Sequence, residues 1–349
     1  MPNIEKVREL QSKVMKDIAA GAIIPIMMIG DELGLFEKLY EFGPCSSEKF
    51  ARKIEMDHRY LREWLLALSA ASYVSYDSKT EFFSLSDEQY SVLGDENSPS
   101  LMIGGFENLV GAVHNYHLIK QSFKKGEGTE WGSLHPCCLS GSARFFKPAY
   151  SIFLINKWLP SIKGAVATLT KGGSFADIGC GFGHSTTMIA EQFSHSSIKG
   201  IDPHKQSIHE AKKIAEQKNL NNLTYEVASA ENYTGEFDVI SFFDCLHDMG
   251  DPVAAVSYAK TKLKVGGALM IVEPYANDEV SKNFNIIGQM YYSFSTIACV
   301  PASKSQKGGL ALGAQAGLKK LTNVLNDGGF SQVEMTYKTA SNMVIEARV

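Results

Sequence analysis

The segment Asp177-Ile178-Gly179-Cys180-Gly181-Phe182-Gly183, followed by His184-Ser185-Thr186-Thr187, decides the fold of this chain. The run 174–177 predicts a strand, and the residues after Gly183 predict the first turn of a helix. Glycines let the backbone approach a ligand closely, and the N–H groups of a helix N-terminus attract nucleotide-like ligands. The segment therefore predicts a ligand-binding loop between a strand and a helix.

The spacing of these glycines disfavours a dinucleotide such as NAD. The dinucleotide pattern G-x-G-x-x-G needs a glycine three residues after Gly181, where this chain has His184. Two acids flank the loop in a different pattern. Asp177 suits an ammonium group of a ligand, and Asp202, 19 residues after Gly183, suits ribose hydroxyls. Taken alone, either acid could instead be a surface residue at the end of a strand.

Downstream of the loop, short apolar runs alternate with amphipathic stretches, which predicts a parallel, doubly wound α/β sheet. Five strands are predicted, at 174–177, 198–202, 223–227, 237–243 and 268–273. The chain then continues with a predicted helix over 318–325, a turn at 327–329 and two runs, 332–337 and 342–347. These two runs predict an antiparallel pair at the sheet edge, which makes seven strands in total.

Residues 1–92 predict helices with one β-hairpin. Ser46 or Ser47 and then Asp57 are candidate helix caps, and alternating residues at 73–76 and 82–85 flank a polar turn. This is the order of a winged helix. Residues 1–90 hold eleven Lys and Arg against fifteen Asp and Glu, so phosphate contacts are disfavoured and dimerisation is preferred for this domain.

Composition excludes several classes of protein. Of the 349 residues, 44% are hydrophobic and 21% charged, as in ordinary globular proteins, and the formal net charge is −4. Neither a nucleic-acid partner nor a membrane partner is expected, since residues 18–30 are too short an apolar stretch to span a bilayer. Six scattered cysteines indicate reduced thiols and a cytoplasmic protein.

The middle zone, 93–165, is predicted to be a helical linker that contributes to a substrate pocket. It is rich in aromatic residues, most of which we expect to serve in packing. Candidates for the pocket are His114, Phe146 and Trp158. A further predicted helix at 283–294 could cover a bound substrate, and its Tyr291 and Tyr292 are candidate substrate contacts, although an aromatic pair on a helix also serves packing.

At this point the chain resembles the class I S-adenosylmethionine-dependent methyltransferases that carry an N-terminal winged-helix domain. The resemblance rests on the D-x-G-x-G-x-G loop and on Asp202. It implies that S-adenosylmethionine is the cofactor. It also implies cofactor-binding roles for a set of residues: Asp177, Gly179, Gly181, Gly183, Asp202, Ala230, Glu231, Phe243 and Asp244. The segment 263–267 looks like the family's turn before strand five. The predicted domains are then 1–92, 93–165 and 166–349, the last of which binds the cofactor.

A candidate general base follows the fourth strand of this domain. His247 lies beyond the carboxyl end of that strand, where open α/β sheets bind ligands, and histidine titrates near neutral pH. Residues 246–251 resemble the L-H-D-W-x-D stretch of small-molecule O-methyltransferases, with Met249 in place of the Trp. The resemblance implies that His247 is the base and that Glu273 orients it; the alternative is a structural histidine.

We therefore predict a methyltransferase that acts on a small molecule at a hydroxyl oxygen and forms a homodimer. An amine acceptor and a regulator that binds S-adenosylmethionine without turnover are the alternatives. No metal is predicted. The carboxylates Asp244, Asp248 and Asp251 could form a magnesium site, but their spacing serves helix capping equally well.

Overall fold

The computed structural model describes all 349 residues, which form two compact units. The first comprises Met1–Gly111 with Pro136–Pro148, and the second comprises Ala112–His135 with Ala149–Val349. The zone 93–165 that the sequence sets apart is therefore not a unit of its own. Its residues are shared between the two, because close helix packing and not chain order decides which residues belong together.

The first unit is mainly helical. It contains α1 (Ile4–Glu32), α2 (Leu35–Phe42), α3 (Ser47–Lys53), α4 (His58–Ala70), the strands β1 (Ser75–Asp77) and β2 (Phe82–Ser84), and α5 (Asp87–Leu93). The side chains of Ser46 and Asp57 cap α3 and α4 as predicted, because each accepts a hydrogen bond from a backbone N–H of the first turn. The predicted hairpin also forms, with β1 and β2 antiparallel.

The core of this unit gathers the apolar faces of its helices and the hairpin. Phe36, Phe50, Leu65 and Leu68 are all fully buried in it. Trp64 lies at its edge, where the indole N–H donates to the carbonyl of Ile26 at 2.9 Å. Burial of large apolar side chains is the main stabilising contribution to a fold of this size.

Two further helices are α6 (Ile103–Lys125) and α7 (Pro136–Ala149). The part of α6 that belongs to the first unit, up to Gly111, approaches α7 very closely. A Cβ atom added to Gly104 would lie 2.6 Å from the backbone nitrogen of Phe145, and one added to Gly141 would lie 2.4 Å from that of Asn108. The glycines of this zone therefore bring two helix backbones together, which no larger residue would allow.

The second unit is built around a seven-stranded sheet with the order β5-β4-β3-β6-β7-β9-β8. Its strands are β3 (Ser174–Ile178), β4 (Ser197–Asp202), β5 (Leu223–Val227), β6 (Phe237–Phe243), β7 (Leu263–Pro274), β8 (Gln332–Lys338) and β9 (Asn342–Arg348). The first five are parallel, and β9 pairs antiparallel with both β7 and β8. This confirms the predicted doubly wound, seven-stranded sheet.

The order of the strands creates a switch point between β3 and β6. The chain runs from β3 outward to β4 and β5 and then returns to β6 on the other side of β3. Ligands of open α/β sheets bind at such a point, beyond the carboxyl ends of the strands. The glycine loop follows β3 and the His247 segment follows β6, so the sheet brings these two predicted sites together.

Helices complete the second unit. They are α8 (Ala165–Thr170), α9 (His184–Gln192), α10 (Lys205–Gln217), α11 (Pro252–Lys262), α12 (Ile286–Phe294), α13 (Val300–Ser305) and α14 (Leu318–Asp327). Two π-helical segments also occur, Tyr150–Trp158 and Ser295–Cys299. The predicted turn at 263–267 was wrong in one respect, because these residues belong to β7, whose pairing with β6 shifts register there.

No single helix combines the length and the apolar character needed to cross a bilayer. One pair, α1 with α2, meets that criterion jointly by length and composition alone, and the pair is bent by 69° at its break.

Candidate functional site

The three glycines of the loop after β3 adopt left-handed backbone conformations, with φ of 72°, 53° and 73° at Gly179, Gly181 and Gly183. Side chains at two of them would collide with neighbours. A Cβ atom on Gly179 would lie 2.8 Å from the sulfur of Cys245, and one on Gly183 would lie 2.3 Å from the hydroxyl of Tyr225. Gly181 faces open space instead. Two of the glycines thus allow packing, and the third leaves room beside the backbone.

Asp177 holds the loop from inside the protein. Its side chain is fully buried, and Oδ2 accepts hydrogen bonds from the hydroxyls of Ser185 at 2.6 Å and Thr186 at 2.7 Å. Burial raises its pKa to about 6, against the lowering effect of these hydrogen bonds. This corrects the prediction that Asp177 faces an ammonium group. With no accessible surface, the carboxylate fixes the start of α9 to the end of β3.

Asp202 ends β4 beside the loop, as predicted. Its Oδ2 accepts from the backbone N–H of Gly181 at 2.9 Å and its Oδ1 from that of His204 at 2.8 Å. Burial raises its pKa. An ionised carboxylate has about four acceptor positions. Two therefore remain for hydroxyl groups of a ligand, next to the open space at Gly181.

The turn after β5 carries the predicted adenine contacts. Glu231 is exposed, and its backbone N–H donates to the hydroxyl of Ser229 at 3.3 Å. Ala230 is half-buried and packs against the hydrophobic core of the second unit. Both residues are at the same edge of the sheet as Asp202, because β4 and β5 are parallel neighbours.

Asp244 follows β6 in a left-handed conformation, with φ of 51°. Three partners hold it. Its N–H donates to the carbonyl of Val272 at 2.7 Å, Oδ1 accepts from the amide of Asn342 at 3.0 Å, and Oδ2 accepts from the hydroxyl of Tyr150 at 3.4 Å. Burial, with a further contribution from the charge of Glu273, raises the pKa of Asp244 to about 8.

Phe243, immediately before Asp244, is buried and lies with its ring 5.8 Å from that of Tyr150. No motif in the sequence marks Tyr150 or Asn342 as a partner of Asp244. They lie 94 and 98 residues away along the chain, in no recognisable motif. Only the packing of the sheet shows that they meet.

His247 and Glu273 form a buried pair, as the resemblance implied. Glu273 Oε2 accepts from Nδ1 of His247, and Glu273 Oε1 accepts from the backbone N–H groups of Leu246 at 2.9 Å and His247 at 3.2 Å. Both side chains are almost fully buried. Burial, the largest single effect, lowers the pKa of His247. The charges of Glu273 and Cys299 and the hydrogen bonds to these two side chains together outweigh it, and the net pKa is well above its ordinary value.

The other ring nitrogen of His247 faces a residue that no sequence motif marks. Nε2 lies 3.3 Å from the sulfur of Cys299. Cys299 ends the π-helical segment Ser295–Cys299, which lies between α12 and α13. Such widened helical turns occur often at functional sites because they change the direction in which side chains project.

The predicted substrate contacts fall in different places. Tyr291 on α12 is buried; burial, followed by the charges of Asp244 and Glu273, raises its pKa, so it lies within electrostatic range of the site. Tyr292 is half-buried. Trp158, in contrast, is fully buried and stacks on Phe153 at 5.8 Å. Its assignment to an open pocket is therefore wrong, because its ring is core.

The other two candidates lie on α6 and α7. His114 is exposed and stacks on the ring of His135 at 4.3 Å. Phe146 is half-buried and packs edge-on against Phe145 at 5.5 Å, within the first unit. Neither contact connects these residues to His247, and their role as substrate contacts stays a prediction.

Two of the three carboxylates that could form a magnesium site, Asp244 and Asp251, accept hydrogen bonds from the protein. Asp251 caps α11 by accepting from the N–H of Ala254 at 2.9 Å. Burial raises the pKa of Asp248 to about 7. No group of three or more His, Cys, Asp or Glu side chains has an arrangement that could hold a metal ion.

Known proteins resemble this chain in both of its parts. Residues 169–329 match the model of a methyltransferase domain, and residues 21–94 match the model of an Rv2258c-like winged HTH domain. The chain is 26% identical over 153 residues to a ubiquinone biosynthesis O-methyltransferase of Acinetobacter baumannii. That match spans 42% of this chain and 61% of the relative.

Solved structures resemble the chain over nearly its whole length. PigF with SAH superposes with a TM-score of 0.72 at 14% identity, covering 97% of this chain and 99% of PigF. Human N-acetylserotonin methyltransferase, in complex with SAM, has a TM-score of 0.71 at 15% identity and 97% coverage of both chains. At these identities the likeness establishes the fold alone. The two domain matches show that the chain combines a winged HTH domain at 21–94 with a methyltransferase domain at 169–329.

Proposed function

We propose that this protein transfers a methyl group from S-adenosylmethionine to a hydroxyl oxygen of a small molecule. The observation that carries the proposal is the buried pair of His247 and Glu273 at the switch point of the sheet, beside the glycine loop. A hydroxyl acceptor must lose a proton when it attacks a methyl group, and a positioned histidine can accept that proton.

The loop fits the nucleoside end of the cofactor. The open space at Gly181 leaves room for a ligand, and Asp202 has acceptor positions for two ribose hydroxyls. When bound, S-adenosylmethionine supplies an electrophilic methyl group on a positively charged sulfur. The carboxylate of Asp202 beside the loop suits a cation better than a neutral ligand.

The protein's own part in the reaction is proton transfer and positioning. Glu273 accepts from Nδ1 of His247, so the neutral ring presents the lone pair of Nε2 to the acceptor. When Nε2 takes the hydroxyl proton, the imidazolium that forms is stabilised by the adjacent carboxylate. The two backbone N–H groups on Oε1 fix that carboxylate in place.

The test is calorimetric titration of the purified chain with S-adenosylmethionine and, separately, with NAD. Mass spectrometry of a pooled metabolite extract incubated with cofactor and protein then identifies any acceptor that gains a CH₂ group. Binding of S-adenosylmethionine together with a methylated hydroxyl compound supports the proposal, whereas a methylated amine would replace it with the nitrogen alternative. Binding without any product would favour a regulator, and no binding would refute the assignment of the loop.

Removing the Asp202 carboxylate is expected to weaken cofactor binding. Asp202→Ala removes two ribose contacts and the acceptor for the N–H of Gly181, which corresponds to about 1–3 kcal/mol of binding free energy. Calorimetry measures the change. Glu191→Ala is the matched control, since its carboxylate pairs with Lys218 on the surface of the same unit. Equal affinity in Asp202→Ala and the control would rule out the ribose assignment.

We also propose that the chain forms a homodimer through α1. Six large apolar side chains are exposed along the first half of this helix: Ile4, Val7, Leu10, Val14, Met15 and Ile18. At 3.6 residues per turn they lie on one face, and charged residues such as Glu9 and Lys16 lie on the opposite one. A continuous apolar helix face of this kind suits a second copy of the same helix.

The double substitution Leu10→Glu/Val14→Glu is therefore expected to convert a dimer into a monomer. Two charges on each apolar face would have to be buried unpaired in the contact between the copies. Sedimentation equilibrium measures the mass. Ser12→Glu/Lys16→Glu on the opposite face is the control and should remain dimeric. A monomeric wild-type chain, or a double variant that stays dimeric, would contradict the assignment.

A further inference from the structure

Cys299 completes a line of three polar side chains in the second unit. The carboxylate of Glu273 contacts Nδ1 of His247, and Nε2 of the same ring lies 3.3 Å from the sulfur of Cys299. A nucleophile, a base and an acid that orients the base form the arrangement by which proteins activate a thiol. We propose that Cys299 is a nucleophilic thiol, activated by His247 and Glu273, that is modified covalently by soft electrophiles such as α,β-unsaturated carbonyl compounds.

The hydrogen bonds fix where the proton goes. Glu273 Oε2 occupies Nδ1, so Nε2 is the atom that exchanges a proton with the thiol. Transfer of that proton to Nε2 leaves a thiolate beside an imidazolium, and the negative charge of Glu273 stabilises the imidazolium. The thiolate is the reactive form of cysteine.

The addition balances without a further reagent. The sulfur of Cys299 bonds to the β-carbon of the unsaturated carbonyl compound. The electron pair of the C=C bond moves to the α-carbon and is shared with the carbonyl oxygen. The proton held on Nε2 of His247 then transfers to the α-carbon, which completes the addition. With iodoacetamide as a probe, the S–C bond forms as the C–I bond breaks, and iodide leaves.

Accessibility separates Cys299 from the other cysteines. Its side chain is partly exposed, whereas Cys45, Cys138 and Cys180 are buried. Cys245 is also partly exposed, but its thiol donates to the carbonyl of Ile178 at 3.1 Å, and burial raises its pKa well above the ordinary value. Cys299 combines partial exposure with a histidine ring nitrogen 3.3 Å from its sulfur.

Cys137 provides a matched comparison. It is partly exposed like Cys299, but burial and the charges of Glu107 and Glu32 raise its pKa. These effects disfavour the thiolate. We therefore expect Cys137 to react slowly with the same electrophile.

Modification would also affect His247. A group attached to the sulfur of Cys299 would occupy the space next to Nε2, which is the atom that a hydroxyl acceptor must reach. Loss of methyl transfer on labelling rests on the function proposed above, whereas the reactivity of Cys299 does not. The two can therefore fail separately.

The experiment is timed labelling of the full chain with iodoacetamide, with the rate at each cysteine read by peptide mass spectrometry. We expect Cys299 to react about tenfold or more faster than Cys137 in the wild-type protein. His247→Gln should lower the rate at Cys299 by about tenfold and leave Cys137 unchanged. Glu273→Gln should lower it in the same direction, because the imidazolium loses its neighbouring charge.

Two results would overturn the proposal: a wild-type rate at Cys299 no higher than at Cys137, or a rate at Cys299 that neither substitution lowers. Unfolding of a variant would expose Cys45 and Cys180 and raise their labelling, so a fall confined to Cys299 is the supporting result. If Cys299 labels rapidly but the unlabelled protein transfers no methyl group, the reactive thiol stands and the proposed enzymatic function falls.

Discussion

Replacing His247 with glutamine is expected to slow methyl transfer by about 10²–10⁴-fold, while the affinity for S-adenosylmethionine stays nearly unchanged. In the proposed reaction His247 accepts the acceptor's proton in the transition state, whereas the groups proposed to bind the cofactor lie on the glycine loop and at Asp202. Glutamine keeps much of the side-chain volume and retains an N–H for Glu273. Single-turnover rates and calorimetric affinities measure the two effects separately.

The pH dependence adds a second readout. Burial lowers the pKa of His247, but Glu273 and Cys299 together raise it well above the ordinary value, so the neutral, proton-accepting form increases with pH above the range of an ordinary histidine. Wild-type turnover should therefore rise with pH over that range, and the rise should be absent in His247→Gln. Glu273, Cys299, Asp244 and Asp248 are the titratable groups close enough to influence it.

His209→Gln is the matched control, because His209 is exposed on α10. It should leave turnover and its pH profile as in the wild type. If His247→Gln turns over as fast as this control, His247 is a structural residue. The acceptor would then need no base. An amine nucleophile that is already neutral is an acceptor of that kind.

Replacing Arg144 with methionine is expected to destabilise the first unit by about 3–5 kcal/mol. The guanidinium contacts Asp31 on α1 at 2.8 Å and Glu107 on α6 at 2.8 Å, and it also pairs with Glu96. Asp31 and Glu107 are mostly buried, with side-chain exposures of 16% and 11%. Methionine would leave both carboxylates without a counter-charge, although it preserves most of the side-chain volume.

Thermal unfolding and hydrogen exchange of α6 and α7 measure this loss, and exchange locates it in the first unit. Arg59→Met is the matched control. Arg59 pairs with Glu63 one helical turn away, with both side chains more than half exposed, so the cost should be about 0.5 kcal/mol or less. Glu107→Gln added to Arg144→Met should recover part of the stability, since it removes one of the uncompensated charges. Equal destabilisation by Arg144→Met and Arg59→Met would show that the cluster contributes nothing beyond a surface pair.

Much of the fold could be predicted because it is encoded by local patterns. The period of two in the strands, the caps at Ser46 and Asp57, and the glycines around the loop each act within a few residues. The parallel strand order follows from βαβ connections, whose handedness and adjacency are strongly constrained. The start of β7 was predicted less accurately. Its first residues pair with β6 through a register shift, which depends on the neighbouring strand and not on a local pattern.

The residues of the site also divide into those that local patterns predict and those that only tertiary packing places. Asp202, His247 and Glu273 lie at strand ends, and the topology of the sheet places strand ends together. Asp177 lies in the same motif, but its burial and its hydroxyl partners depend on how α9 packs against β3. Trp158 is a large aromatic residue, a type that also lines pockets, and only the packing around it shows that it belongs to the core.

The sequence alone determined the α/β class and the glycine loop, and it pointed to His247 and Glu273 as a candidate base and its acid, because each depends on residue type at a fixed spacing. The tertiary structure alone decided which distant side chains reach them. Tyr150 and Asn342 hold Asp244, and Cys299 reaches His247, across separations of 52 to 98 residues. Contacts of that kind depend on the packing of whole elements and on π-helical turns that break the regular helical period, and neither leaves a local pattern in the chain.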